Sequence, residues 1–198
     1  MAVEESKDEQ RQRLLDALVE SIKERGLVDT QVSDVVRLAK ASRRTFYNHF
    51  PDKESCYVEL IDSLTEDVVD RLEAVTDRSR PAVGQIDQAI DGYMGIMLAE
   101  PELASAYWLP AQDARVVDAQ RKGYERVSSF IHSVVQQDRQ LDPSLEEISF
   151  DRIYMLVVGF HQTVMRAHAA GRDIQAVAAD LKPLLRASLS QTQDLTSA

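Results

Sequence analysis

Several residue types are scarce in this sequence, and each scarcity excludes something. A single cysteine, Cys56, in 198 residues leaves no disulfide framework and no multi-cysteine zinc site. Seven glycines and six prolines are few, and none of the glycines falls between Gly26 and Gly84, which argues against a turn-rich β-sandwich. The longest apolar run, residues 153–160, is eight residues long, against about 20 needed to cross a bilayer. Residues 1–13 are mostly charged and polar and do not resemble a signal peptide. Together these features predict a soluble, cytoplasmic protein with no membrane segment.

Acidic residues are missing from one place in an otherwise acidic chain. The net charge is −10, yet residues 1–50 carry nine basic and nine acidic groups, so the excess belongs to residues 51–198. From Val35 to Pro51 there is no Asp or Glu, while Arg37, Lys40, Arg43 and Arg44 are basic and His49 can become so. A local patch of this kind can hold a polyanion, because screening limits the field at contact to about 10 Å. A solvated helix face would account for the four charges equally well.

What is present reads as helices. Ser6 and Glu9 fit a capping box, and Leu14, Leu15, Leu18, Val19 and Ile22 recur at helical spacing up to Gly26, predicting a helix over residues 7–25. Thr30 is placed to cap a short helix with Val32, Val35, Val36 and Ala39. Ser42 is placed to cap another with Thr45, Phe46 and Phe50. Only Lys40, Ala41 and Ser42 separate the two, which is helix-turn-helix geometry. After Pro51, a long helix is expected over residues 52–75, then a loop over 77–84. Further helical patterns follow, the richest in apolar residues being 148–170 and 174–189. Pro183 should kink or split the last of these. No segment alternates as a half-buried strand does.

The residues Ser42-x-x-Thr45-Phe46-Tyr47-x-His49-Phe50-x-x-Lys53, in that turn-helix-stop setting, resemble the DNA-binding signature of the tetracycline-repressor (TetR) family. The resemblance implies an all-α chain. A three-helix helix-turn-helix DNA-binding domain would occupy residues 1–51. A helical effector-binding and dimerisation domain would occupy 52–198, with 52–76 as connecting helix. It also implies Tyr47, His49 and Lys53 as phosphate contacts. The family usually has glycine at the turn where this chain has Lys40, so either Lys40 takes a positive φ or the turn differs. Independently of the resemblance, Arg43 and Arg44 start the third helix, where recognition helices reach base edges, and Arg binds guanine bidentately. Ser42, Thr45, Tyr47 and His49 carry donors suited to phosphate oxygens. With Thr30 at the start of the motif and Lys40 as an added cation, the expected DNA-contacting set is Thr30, Lys40, Ser42, Arg43, Arg44, Thr45, Tyr47, His49 and Lys53. Phe46 and Phe50 are expected to face inward.

One recognition helix reads few base pairs, so a homodimer on a palindromic double-stranded operator is expected. Residues 148–170 and 174–189, the helices richest in apolar residues, lie where the resemblance implies a four-helix dimer interface; 148–170 also reads as the buried central helix of its own domain, and both can hold on different faces. Eight of the twelve aromatics follow residue 90, accompanied by methionines, which suits the apolar small-molecule pocket that the resemblance implies, although residue by residue an ordinary core is the stronger reading. The candidate effector residues are Tyr93, Met97, Trp108, Tyr124, His161 and Met165. His161 and His168 share a helix face without a neighbouring carboxylate, so neither a metal nor a cofactor is expected. There is no phosphate-binding glycine loop, Gly-x-Ser-x-Gly or His-Glu-x-x-His, so the chain does not read as an enzyme. The expected function is a ligand-responsive repressor; a helical adaptor or an activator would use the same head.

Overall fold

The computed structural model of the chain describes residues 6–80, 82–104, 113–141 and 147–189, and among them every regular element is an α-helix. They form two units, Met1–Ser63 with Glu102–Gln120, and Leu64–Pro101 with Arg121–Ala198.

In the first unit, α1 (Lys7–Asp29) opens on the expected capping box. The Glu9 amide donates to Ser6 Oγ at 3.1 Å and the Ser6 amide donates to the Glu9 carboxylate at 2.7 Å. Leu14, Leu15, Leu18 and Ile22 form its buried stripe. The helix does not stop at residue 25. Helical geometry breaks only at Gly26 (φ 79°, ψ 162°) and resumes to Asp29. Glycine holds a positive φ without a Cβ penalty, so it kinks this helix rather than ending it. Thr30 closes the added turn, its hydroxyl donating to the Gly26 carbonyl at 2.8 Å and its amide to that of Leu27 at 3.3 Å.

Thr30 is therefore the C-cap of α1, and α2 (Val32–Leu38) starts from Gln31, whose amide donates to Asp34 Oδ2 at 3.0 Å. Lys40 stands at φ 50° in the turn that follows. The amides of Lys40 and Ala41 donate to the carbonyls of Arg37 and Val36, a Schellman closure that requires a left-handed residue at Lys40. Ser42 Oγ accepts from the Thr45 amide at 3.0 Å and starts α3 (Arg43–His49). Asp52 Oδ1 accepts from the Ser55 amide at 2.7 Å and starts α4 (Lys53–Val75). Phe46 and Phe50 are buried in this unit, as are Leu14, Leu18, Val35 and Ile61.

The second unit holds the far part of α4, α5 (Ala82–Ala99), most of α7 (Ala114–Leu141), α8 (Phe150–Ala169) and α9 (Ile174–Leu189); the short α6 (Pro101–Ala104) lies where the chain passes back to the first. The loop expected over 77–84 is shorter, because α5 begins at Ala82, anchored by Gln85 Nε2 donating to the Arg80 carbonyl at 2.7 Å. A Cβ on Gly92 would lie 2.9 Å from Val75 Cγ2, so the helices there approach as only glycine permits. Helix α9 lies against α5 and α8 and pairs Lys182 with Asp91 and Arg186 with Asp87. It runs unbroken through Pro183. Both Pro183 and Ala179, whose carbonyl loses its partner, are exposed, so water can satisfy that carbonyl.

Candidate nucleic-acid interface

Helix α3 has two faces because its residues are of two kinds. Phe46 and Phe50 point inward, their ring centroids 5.6 Å apart, and the Arg11 guanidinium lies 4.8 Å over the Phe50 ring. Arg11 also reaches the Glu59 carboxylate with two donors and so pins α1 to α4 beneath α3. The outer face carries Arg43, Arg44, Tyr47 and Asn48, all exposed, at the i, i+1, i+4, i+5 spacing of one helix side. Tyr47 is 54% exposed, its ring edge-on to Phe46 at 5.5 Å, so the phenol is propped outward on the core. Asn48 was absent from the sequence expectation. Its signal was its place one turn after Arg44, and asparagine can bind adenine bidentately.

The remaining expected contacts are placed differently. Lys40 and Ser42 are exposed and Thr45 is half-buried, its hydroxyl 2.9 Å from that of Ser42. His49 is half-buried, with Nε2 3.5 Å from Gln10 Oε1. Burial, then the charges of Arg11 and Lys7, push its imidazole below the usual value and keep it neutral near pH 7. Lys53 Nζ donates to the Thr30 carbonyl at 3.0 Å, which orients it and leaves two of its three N–H donors. Thr30 is a correction. Its side chain is fully buried, 3.0 Å from the Ser21 hydroxyl, and cannot touch DNA. A threonine beside a helix start reads as an N-cap from sequence; the extra turn after Gly26 moved the start by one residue.

In the second unit three of the candidate effector residues meet. Tyr93 Oη lies 2.8 Å from His161 Nδ1, the Tyr124 ring stands edge-on to the imidazole at 5.4 Å, and Gln162 Nε2 donates to Tyr124 Oη at 3.3 Å. Burial pushes the Tyr124 phenol up to about 12, so it stays a neutral donor. Met97 and Met165 are buried in the same unit, and Trp108 lies outside the described residues. A separate groove of about 310 Å³ opens between α4 and α5, where Gly92, Gly95, Ala74 and Ala99 leave space below Arg71. None of the described candidate effector residues lines it. Cys56 is buried and its thiol is pushed up to about 12 by burial, so it is unreactive. Among the described residues no group of three His, Cys, Asp or Glu could hold a metal ion, and no helix is long and apolar enough to cross a membrane.

The sequence model for bacterial regulatory proteins of the tetR family matches residues 14–60, which span α1 from Leu14 through α3 to Leu60 of α4. No curated protein matches the chain. Solved structures share its fold. The transcriptional regulator FadR of Bacillus subtilis, in complex with stearoyl-CoA, is 17% identical and superposes with a TM-score of 0.75 over 89% of this chain and 98% of its own. The fatty acid degradation regulator FadR of Bacillus halodurans is 16% identical, with a TM-score of 0.74 over 89% and 94%. A TetR-like transcriptional regulator from Rhodococcus sp. RHA1 is 20% identical, with a TM-score of 0.66 over 92% and 97%.

Proposed function

We infer that this chain is a regulator of the tetR family, a sequence-specific repressor released from a palindromic operator by a small, largely apolar effector. The observation that carries this reading is the outer face of α3: Arg43, Arg44, Tyr47 and Asn48 stand in solvent on a stretch with no acidic residue, over a core that holds the helix rigid. Arg43 and Arg44 read base edges in the major groove. Ser42, Thr45, Tyr47, His49, Lys40 and Lys53 hold phosphates, and the acidic remainder turns this face towards the DNA.

Two heads are needed for a stable specific complex, with half-sites about 34 Å apart or a multiple of that. The second copy docks on the outer faces of α8 and α9, where Met155 is 62% and Leu184 59% exposed beside exposed Gly159, Ala176, Ala179, Pro183 and Ala187. The effector site is built around Tyr93, Tyr124 and His161. The stearoyl-CoA of the Bacillus subtilis FadR makes a long-chain acyl thioester the first effector to test. An effector that prefers heads at a different spacing from the operator lowers DNA affinity by that preference, about 1–3 kcal/mol of coupling. In this reading the protein is cytoplasmic and performs no catalysis.

The test is selection of duplexes from a random-sequence pool at physiological salt. Recovery of an inverted repeat, with affinity falling steeply with salt, is expected. Enrichment of no sequence by folded, dimeric protein that has been refolded away from small molecules would overturn the reading.

A further inference from the structure

Two carboxylates meet at one guanidinium in the first unit. Asp52 caps α4, Asp113 caps α7, and the first turn of α7 brings Arg115 between them. Arg115 Nε and Nη2 donate to the two oxygens of Asp113 at 3.0 and 2.7 Å. On its other edge Nη2 donates to Asp52 Oδ2 at 3.1 Å, while Nη1 donates to Ser55 Oγ at 2.9 Å and lies 3.4 Å from Asp52 Oδ1. Each carboxylate is where its own helix favours negative charge, at the positive end of the dipole. Together they repel unless one cation serves both. Only a planar fork can bond two carboxylates along two edges; an ammonium could not.

The place matters more than the pairing. Asp52 is the first acidic residue after the basic stretch that ends at Pro51, and it adjoins Lys53. A bare carboxylate there would face DNA phosphates within a screening length. Side-chain exposures of 49% for Arg115 and 39% for Asp52 show that burial does not hold the contact; its geometry does. Isolated exposed ion pairs contribute little, but a guanidinium bonded on two edges to three side chains is a network.

We propose that Arg115 is a positioning residue for DNA reading: it clamps the first turn of α7 to the first turn of α4 and neutralises Asp52 beside Lys53. The proposal rests on the DNA-binding reading above. It gives α7, which carries Tyr124 further along, a grip on the reading head. Asp113 is held down at about 2, chiefly by Arg115, and Asp52 lies below its usual range, chiefly through Ser55 and then Arg115, so both stay charged at physiological pH.

The experiment compares Arg115→Gln, Arg115→Lys, Asp52→Asn and the Arg115→Gln/Asp52→Asn double variant, each checked for intact helix content and dimer formation. Asparagine keeps the cap of α4. Amide hydrogen exchange over residues 53–56 is read in the free protein, and affinity is read on the duplex the wild type selects. Arg115→Gln is expected to speed exchange in that turn and to weaken operator binding about fivefold, one charge at contact distance in water. With Asp52→Asn already present, Arg115→Gln should cost less than about twofold. Arg115→Lys should recover affinity in part while exchange stays fast. Unchanged exchange in Arg115→Gln overturns the clamp, and an equal loss of affinity with and without Asp52 overturns the neutralising role. A wild type that retains no duplex overturns the DNA reading and the positioning role with it, while the exchange arm still decides whether the clamp exists.

Discussion

The reading head and the aromatic cluster of the second unit use the same residue types in opposite ways. Tyr47 stands outside its core and Phe46, next to it, stands within; Tyr93 and Tyr124 both converge on His161, which is 3% exposed. On a surface helix the division into faces separates what packs from what a partner touches, since charged groups stay in water unless paired. In a helical core no such division exists. An aromatic that lines a ligand site and one that only fills space share periodicity and burial. The head therefore exposes its polar chemistry, while the second unit encloses it.

That contrast can be broken by substitutions. The largest effect is expected for Phe46→Ala, which removes a fully buried ring and should cost about 3–5 kcal/mol in chemical denaturation. Neighbouring Tyr47→Ala should leave the denaturation midpoint nearly unchanged. Equal losses at both positions would mean that α3 has no free outer face.

Next, Arg44→Ala should lose about 1–3 kcal/mol of discrimination at one operator position, read by binding to single-base operator variants. Lys53→Ala should instead weaken all sequences alike and reduce the salt slope by about 1. The reverse pattern would exchange the roles assigned to base and phosphate contacts.

In the second unit Gly92→Ala should cost about 1–3 kcal/mol, because the new methyl would meet Val75 Cγ2 at 2.9 Å. Retained stability would show that α5 can move away from α4 at little cost. The smallest effect is expected for Lys40→Gly. A non-glycine residue at φ 50° carries about 1–2 kcal/mol of strain, partly offset by the entropy glycine loses on folding. A net gain of about 0.5–1 kcal/mol in thermal unfolding should accompany a modest fall in DNA affinity as a cation disappears.

Much of the fold was legible in the order of residues. Ser6 with Glu9, Ser42 before α3 and Asp52 before α4 each named a helix start, because a cap bonds an amide only two or three residues away. The structure sets Arg43, Arg44 and Tyr47 on the exposed side of α3, a placement that follows from their spacing against Phe46 and Phe50. Thr30 was misread, since its type fits a cap while its role depended on how Gly26 kinked the preceding helix. Asn48 lay outside the expected set although its spacing from Arg44 was visible.

Local order along the chain thus sufficed for the presence of the helices, for the caps at Ser6, Ser42 and Asp52 and for the acid-free basic stretch, all governed by neighbours within one or two turns. The contacts that give the molecule its particular character are between distant residues. Arg115 meets Asp52 across 63 positions, Tyr93 meets His161 across 68, and Gly92 admits Val75 from another helix. Periodicity indicates which face of a helix is buried and leaves open which helix covers it. Packing settles that partner, because the gain from burial depends on the shape of both surfaces at once.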